Sequence, residues 1–222
     1  MKKIELKDTQ WEDLDDLLLE IEDKFNFHFD DYELENIADF DELVSLIMSK
    51  IDGEDDTLCT SLLAFYKIKS VIREAGLYDP SKLCPSTKLK DIFPKKSRRR
   101  LVNTFNRGIG AKLEILEPNR IILYFCCILL ILSIVGLFFY FKLAIAGIAI
   151  SIMGVKCLYA FTKKLKYDTI RDMINGNLCV NYLTFRQNKT TINRKELRKL
   201  FYDFFSTNLA LDQDELRRVS FR

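Results

Sequence analysis

The sequence of 222 residues has a single histidine and a single tryptophan, with only four prolines and eight glycines. The histidine, His28, lies between Phe27 and Phe29, so we interpret it as a core or connector residue. A serine or cysteine nucleophile needs a nearby base, most often histidine, and the chain offers no second one. The glycines do not have the spacing of a phosphate-binding loop. We therefore expect no catalytic residues and no enzymatic activity.

The six cysteines also lack the spacing of a functional motif. There is no Cys-x-x-Cys pair, and one histidine cannot complete a zinc site, so we expect no metal and no cofactor. The carboxylates of residues 52–56 lack the spacing of a calcium loop. Free thiols are typical of a reducing cytosol. The first residues, MKKIELKD, have no apolar core after the lysines, which argues against a signal peptide.

Charge is distributed unevenly along the chain. Residues 1–56 contain 20 Asp/Glu and 5 Lys/Arg, a net charge of −15, whereas residues 57–120 have a net charge of +9 and residues 162–222 one of +6. Two interpretations stay open. The charges are solvated faces of opposite sign, or the acidic head binds basic surfaces, either its own or those of a separate protein.

One long apolar run interrupts this pattern. Residues 121–141 contain no charged residue, and the run continues to residue 161 with only Lys142 and Lys156. A membrane-spanning helix needs about 20 mainly apolar residues. We predict a transmembrane hairpin with spans 121–140 and 143–161 and a tight turn at residues 140–142. Lysine and arginine are dense on both flanks, so the positive-inside rule predicts a cell-membrane protein with both termini cytoplasmic.

Small residues recur along both spans. They are Cys126, Ser133 and Gly136 on the first, and Gly147, Ser151 and Gly154 on the second. Such stripes allow close packing of the two helices, or alternatively oligomerisation, and the oligomeric state is left open.

A basic run precedes the hairpin, and lysines follow it. Nucleic-acid binding, contact with anionic lipid headgroups and a purely topogenic role are the alternatives for the run. We expect lipid contact or topology rather than nucleic acid, because the run lies about 20 residues before the membrane and lacks interleaved aromatic residues. The candidate headgroup contacts are Lys95, Lys96, Arg98, Arg99, Arg100, Lys163 and Lys164.

Apolar periodicity predicts an all-α fold. Leu14, Leu17, Leu18, Ile21 and Phe25 follow helical spacing from Asp8 onward, with carboxylates between them. Further helices are expected at about 41–51, at 57–75 with Thr57 or Thr60 as the N-cap, and at about 96–107. A last helix is expected after Asn193, where Glu196 would complete a capping box.

Residues 17–51, LLLEIEDKFNFHFDDYELENIADFDELVSLIMSKI, resemble the second, third and closing helices of an acyl carrier protein. The family attaches phosphopantetheine to a serine at the start of its second helix, but here that position falls on or next to Trp11, and no serine is nearby. The resemblance therefore implies the fold and an acidic docking face without the carrier chemistry. The candidate partner-docking residues are Glu12, Asp15, Asp16 and Glu22.

The helix after Asn193 and the tail to residue 221 resemble the family's missing first third. We hypothesise that the two ends complete one bundle in circularly permuted order; the alternative is that each end packs elsewhere. Four segments are expected: acidic carrier-like helices over residues 1–56, a basic helical segment over 57–119, the hairpin over 120–162 and a C-terminal helical segment over 163–222.

These observations predict a non-enzymatic, membrane-anchored interaction protein that presents an acidic module to a basic partner. An accessory protein of acyl or lipid metabolism is the alternative, and a membrane-active hairpin protein is a weaker one.

Overall fold

The computed structural model describes residues 6–136, 141–186, 188 and 190–221, and these are mostly helical, which confirms the all-α class. The helices are α1 Asp8–Phe25, α2 Asp31–Glu35, α3 Phe40–Lys50, α4 Thr60–Glu74, α5 Leu89–Ile92, α6 Arg98–Ile109, α7 Arg120–Gly136, α8 Phe141–Phe161, α9 Ile170–Leu178, α10 Tyr182–Phe185, α11 Arg194–Asn208 and α12 Gln213–Leu216. Four two-residue strands join them, namely β1 Glu54–Asp55, β2 Leu116–Glu117, β3 Lys164–Leu165 and β4 Thr191–Ile192.

The chain forms two compact units whose boundaries differ from the expected segments. Unit 1 comprises Met1–Val71, Ile109–Leu113 and Ile174–Arg222, and unit 2 comprises Ile72–Gly108 and Glu114–Met173. The boundaries between the units fall within α4, α6 and α9 and between residues 113 and 114. Periodicity marks where helices lie but not which core each half of a helix joins.

The core of unit 1 is built from both ends of the chain. Apolar residues of α1 and α3 pack in one cluster with those of α11 and α12. Phe25 lies with its ring centroid 5.6 Å from that of Phe201, and Phe40 lies 5.4 Å from Phe205 and 5.0 Å from Phe221. The two ends therefore meet within one chain. Whether their order is a permutation of a carrier fold stays a prediction.

Local capping sets the ends of these helices. Asn26 adopts a left-handed conformation, with φ 56°, and ends α1. The Asp39 side chain accepts a hydrogen bond from the Glu42 amide at the start of α3, and Asn193 does the same for the Glu196 amide at the start of α11. The predicted Asn193 cap is thus confirmed.

A short parallel pairing joins residues near 55 to residues near 191. β1 pairs with β4, with Glu54 N–H donating to Thr190 O at 2.8 Å and Asp56 N–H to Ile192 O at 2.8 Å. Gly53, with φ +158°, allows this approach, because a Cβ there would lie 3.1 Å from Thr190 O. The pairing fixes the loop before α4 against the loop before α11.

In unit 2, a small buried cluster joins α6 to the end of α5. Phe93 packs on Phe105 with ring centroids 5.5 Å apart, and Leu89, Ile92 and Val102 are also buried. An isolated bridge between Lys88 and Thr169 ties the start of α5 to the start of α9. The ring contact therefore holds α6 against α5, and the bridge holds α5 against α9.

The two apolar helices α7 and α8 pack against each other. The end of the expected first span, residues 137–140, lies outside the described residues and includes the first residue of the expected turn at 140–142. The other two residues of that turn, Phe141 and Lys142, are helical and begin α8. Across the ranges that the structure describes, there is no helix long and apolar enough to cross a membrane.

Candidate functional site

Two short strands close the base of the α7–α8 pair. β2 and β3 are antiparallel, with Leu116 opposite Leu165 and Glu117 opposite Lys164. Lys166 N–H extends the pairing by donating to Ile115 O at 2.9 Å. The chain therefore enters α7 and leaves α8 at the same place, which we call the neck (residues 114–117 and 163–166).

One residue of the basic run, Arg98, contacts this neck. Arg98, the first residue of α6, donates from Nη1 to Lys163 O at 2.6 Å and from Nε to Phe93 O at 2.7 Å. This bond brings the run before the hairpin against the lysines after it. Lys95, Lys96, Arg100 and Lys163 are exposed, and Arg99 is half-buried.

Two lysines of the neck already form ion pairs. Lys164 Nζ lies 3.0 Å from Glu117 Oε2, and Lys166 Nζ lies 2.5 Å from Glu114 Oε2. The Arg98 guanidinium donates to two backbone carbonyls, those of Phe93 and Lys163. The cations best placed for an external anion are consequently Lys95, Lys96, Arg99, Arg100 and Lys163.

Small residues form the contact between α7 and α8. A Cβ added at Gly147 would lie 2.2 Å from Ser133 Oγ, one at Gly154 would lie 3.1 Å from Cys126 Sγ, and one at Gly136 would lie 3.8 Å from Ala144 Cβ. Ser133 and Ser151 are buried and donate to carbonyls one turn earlier, Leu129 O and Gly147 O. The predicted close packing along the small-residue stripes is confirmed.

Large apolar side chains point away from this contact. Phe125 is 67% exposed and Ile150 is 63% exposed. The other exposed large apolar residues on the two helices are Ile121, Ile122, Tyr124, Ile128, Ile131, Leu132, Ile134, Val135, Phe141, Ile145, Ile152 and Met153. The pair thus buries its small and weakly polar residues and exposes its most apolar ones.

In unit 1, the predicted docking residues do not all share one role. Glu12, Asp15 and Asp16 are exposed on α1, and with Asp13 they form what we call the acidic face. The Glu22 side chain is only 14% exposed; its carboxylate accepts the Phe29 amide at 2.6 Å and lies 3.8 Å from His28 Nδ1. Glu22 therefore fixes the connector after α1, and the acidic face ends before it.

Trp11, at the position expected for the carrier serine, lies beside the C-terminus. Its ring centroid is 5.3 Å from that of Phe221, whose amide donates to Ala38 O at 2.9 Å. The start of α1 thus contacts the tail of the same chain, while Trp11 itself stays 38% exposed.

Sequence reasoning missed a buried arginine. The Arg186 side chain is 1% exposed and binds Asp56 Oδ2 at 2.5 Å, Leu58 O at 2.9 Å and Thr191 Oγ1 at 2.9 Å. The backbone amide of Leu58, together with Arg186, holds the pKa of Asp56 below its ordinary value. An isolated arginine in a loop gives no periodic signal that would reveal this role.

Sequence reasoning also assigned Glu196 the wrong partner. Its carboxylate accepts from the Thr60 amide at 2.8 Å and the Ser61 amide at 3.3 Å, so it caps α4 instead of completing the box with Asn193. The predicted threonine cap of α4 is replaced by this long-range contact.

Cys179, Tyr202 and Cys84 are among the other groups with a perturbed pKa. Burial raises the pKa of the Cys179 thiol, and burial together with the hydrogen bond to Asp41 raises the pKa of Tyr202 to about 12. Hydrogen bonds from the Ser86 and Thr87 hydroxyls hold the pKa of exposed Cys84 below its ordinary value. The described residues include no group of three or more His, Cys, Asp or Glu arranged to hold a metal ion.

Comparison with known proteins gives no further assignment. No family model, no curated protein and no solved structure matches this chain. The resemblance to acyl carrier proteins therefore stays a prediction from the sequence.

Proposed function

We propose that this protein is a non-enzymatic, membrane-anchored interaction protein. The observation that carries the proposal is the exposed apolar surface of α7 and α8. A helix that is apolar on all sides belongs in a large protein core or in a bilayer, because an apolar surface of that size is unfavourable in water.

The contact between the two helices supports a lipid environment. Lipid tails are as apolar as leucine, so helices in a bilayer associate through small residues that allow close approach. Gly147 against Ser133 and Gly154 against Cys126 are contacts of this kind. A water-exposed pair would bury its large apolar residues instead.

The cations of the neck support contact with anionic headgroups. Each lysine or arginine near an anionic membrane surface contributes about 1 kcal/mol of attraction. Lys163 belongs to the neck, and the bond from Arg98 to its carbonyl connects the neck to the run that also carries Lys95, Lys96, Arg99 and Arg100. With these cations at the cytoplasmic surface, both termini are on that side.

The acidic face of α1 is the proposed docking surface for a basic partner. Its carboxylates are exposed, and the resemblance to carrier proteins, whose acidic helix contacts partners, supports the same use here. Opposite charges raise the rate of encounter and discriminate against wrong partners.

Alkaline extraction of membranes tests the anchor. The full chain is expected to remain with the membranes at high pH, whereas a variant with Ile128→Lys, Leu132→Lys and Ile150→Lys is released. The matched control carries lysines at exposed apolar positions outside the hairpin, Leu58→Lys, Leu62→Lys and Tyr66→Lys, and stays bound. Release of the wild type, or equal behaviour of the two variants, contradicts the proposal.

Protease protection in sealed vesicles distinguishes the modes of anchoring. Two complete spans with cytoplasmic termini predict that both ends are digested from the cytoplasmic side only. Digestion of an end from the opposite side contradicts the proposed orientation.

Neutralising the acidic face tests partner docking. Proteins that co-purify with the wild type are expected to be lost from Glu12→Gln, Asp15→Asn, Asp16→Asn. They are expected to be retained by Glu35→Gln, Asp52→Asn, Asp214→Asn, which removes the same charge from other exposed positions of unit 1. Equal loss from both variants would show that net charge, not this face, matters.

A further inference from the structure

Unit 1 contains a partly open cavity of about 240 Å³, and no residue of the hairpin or of the acidic face lines it. Its polar lining comes from Lys24, Lys112, Asn181 and Thr184, and Val180 and Leu183 are apolar parts of its wall. The volume equals roughly eight water molecules at about 30 Å³ each, and lies below the 300–1,000 Å³ of drug-sized sites. It suits a small ligand.

Three separate stretches of chain bring these groups together. Lys24 lies in the last turn of α1, and Asn181 and Thr184 belong to α10 and its N-cap. Lys112 comes from the short stretch that leaves α6 and joins unit 1, where Ile109 and Leu113 on either side are buried. The backbone that carries Lys112 is therefore fixed while its ammonium group stays accessible.

The lining carries positive charge without a carboxylate. Two carboxylates act on Lys24 from outside the lining: Asp23 pairs with it at 2.8 Å, and Glu20 also favours its charged form. Lys67 adds a third ammonium close by, since its Nζ donates to Thr184 O at 2.8 Å. Among the described residues, Lys112 has no ion-pair partner. A concave site lined by charge of one sign concentrates ligands of the opposite sign.

The lining of the cavity is positively charged, although the N-terminal part of unit 1 is strongly acidic. Residues 1–56 have a net charge of −15, yet one of their five lysines faces this concavity together with Lys112 from the basic segment. Amide and hydroxyl groups of Asn181 and Thr184 add hydrogen-bonding capacity. Beside them, Val180 and Leu183 offer an apolar wall.

We propose that this cavity binds a small oxyanion, a phosphate or carboxylate group on a short aliphatic body, between the ammonium groups of Lys24 and Lys112. This site does not depend on the membrane anchor, because all its residues belong to unit 1. An anion there competes with Asp23 for Lys24 and supplies the missing partner of Lys112.

Isothermal titration calorimetry on the full chain in a nonionic detergent, at about 150 mM salt, tests the site. Inorganic phosphate, acetate and hexanoate are the probes, with empty micelles as the blank. Saturable binding of at least one oxyanion is expected, and the tighter of phosphate and acetate identifies the head group. Hexanoate should bind at least tenfold more tightly than acetate, since four added methylenes reach the apolar wall.

Two matched variants make the result specific. Lys112→Gln should weaken binding at least fivefold, whereas Lys199→Gln, an exposed lysine of the same unit outside the cavity, should leave it unchanged. Absence of saturable binding, or equal weakening by both variants, overturns the proposal. Equal affinity for acetate and hexanoate overturns its aliphatic component. Membrane extraction of Lys112→Gln should match the wild type, so the two proposals fail independently.

Discussion

At the scale of single residues, Arg186 joins three separate stretches of unit 1 through one guanidinium group. It binds Asp56 and the Leu58 carbonyl before α4, and both the carbonyl and the hydroxyl of Thr191 in β4. Removing one partner of a buried ion pair leaves the other charge without compensation, which is strongly destabilising. The single tryptophan, Trp11, packs on Phe221 in the same unit, so its fluorescence reports this unit specifically.

The pH dependence of Asp56→Asn tests the ion pair. A carboxyl whose pKa is lowered by folding stabilises the native state above its unfolded pKa, about 3.9, and this contribution is lost as the pH falls through the folded value. At pH 7 the urea midpoint of the variant should therefore be lower than that of the wild type. This difference in midpoint should disappear below about pH 4. Urea titrations followed by Trp11 fluorescence measure this. A difference in midpoint that does not change with pH would contradict the lowered pKa of Asp56. Asp52→Asn, at an exposed neighbouring position, is the control.

Cysteine reactivity provides a second prediction at this scale. Because the hydroxyls of Ser86 and Thr87 favour the Cys84 thiolate, Cys84 should react with iodoacetamide at pH 7.5 faster in the wild type than in Ser86→Ala, Thr87→Ala, by about threefold. Cys179, buried and with a raised pKa, should react only after unfolding. Peptide mass spectrometry resolves both sites, with exposed Cys59 as the internal reference. An unchanged rate in the double variant would exclude the hydroxyls as the cause.

At the scale of elements, the helices of unit 1 could be predicted because their signals are local. The spacing of Leu14, Leu17 and Ile21 gave α1, and the Asn193 side chain gave the start of α11. The partner of Glu196 could not be predicted, since Thr60 is 136 residues away in sequence. The same limit applies to the β1–β4 pairing, which rests on contacts between strands of two residues.

In the candidate site, too, local features could be predicted and long-range contacts could not. The exposed carboxylates of the acidic face follow from helical periodicity, because they lie opposite the apolar stripe. Glu22 has the same spacing relation, yet the turn after α1 brings the Phe29 amide to it. Arg98 likewise resembles its neighbours in sequence, but the neck geometry directs it to the Lys163 carbonyl.

Glycine substitutions in the hairpin test the contact between α7 and α8. Gly147→Ala would place a methyl group in the space of Ser133 Oγ and 3.1 Å from Ser133 Cβ, so the hydroxyl must rotate away or the helices must shift, at a cost of about 1–3 kcal/mol for overpacking. Gly136→Ala is the matched control, because its methyl group would meet Ala144 Cβ at an ordinary 3.8 Å. On titration with a denaturing detergent, Gly147→Ala should lose its helicity at a lower detergent concentration than the wild type, whereas Gly136→Ala should match the wild type. Adding Ser133→Gly should restore the wild-type midpoint, and failure to do so would place the strain elsewhere.

At the scale of the whole molecule, unit 1 depends on contact between residues that are far apart in sequence. Residues 1–56 repel one another with a net charge of −15, and a segment of this size buries too little apolar surface to be stable alone. The C-terminal helices supply the missing apolar surface: Phe201 and Phe205 are fully buried in the shared core. Polar contacts also join α11 to α3, because Tyr202 donates to Asp41 and Arg198 donates to Ser45 Oγ.

Truncating one aromatic residue of α11 should therefore destabilise the N-terminal helices. Phe201→Ala removes a buried ring that packs 5.6 Å from Phe25, which is expected to cost about 3–5 kcal/mol. Phe204→Ala removes the same number of atoms from a half-buried position of the same helix and should cost less than half as much. Both the urea midpoint from Trp11 fluorescence and the rate of proteolysis within residues 8–51 should follow this order. If proteolysis of residues 8–51 is unaffected by Phe201→Ala while α11 itself becomes sensitive, the two ends fold independently and the shared core does not stabilise the acidic segment.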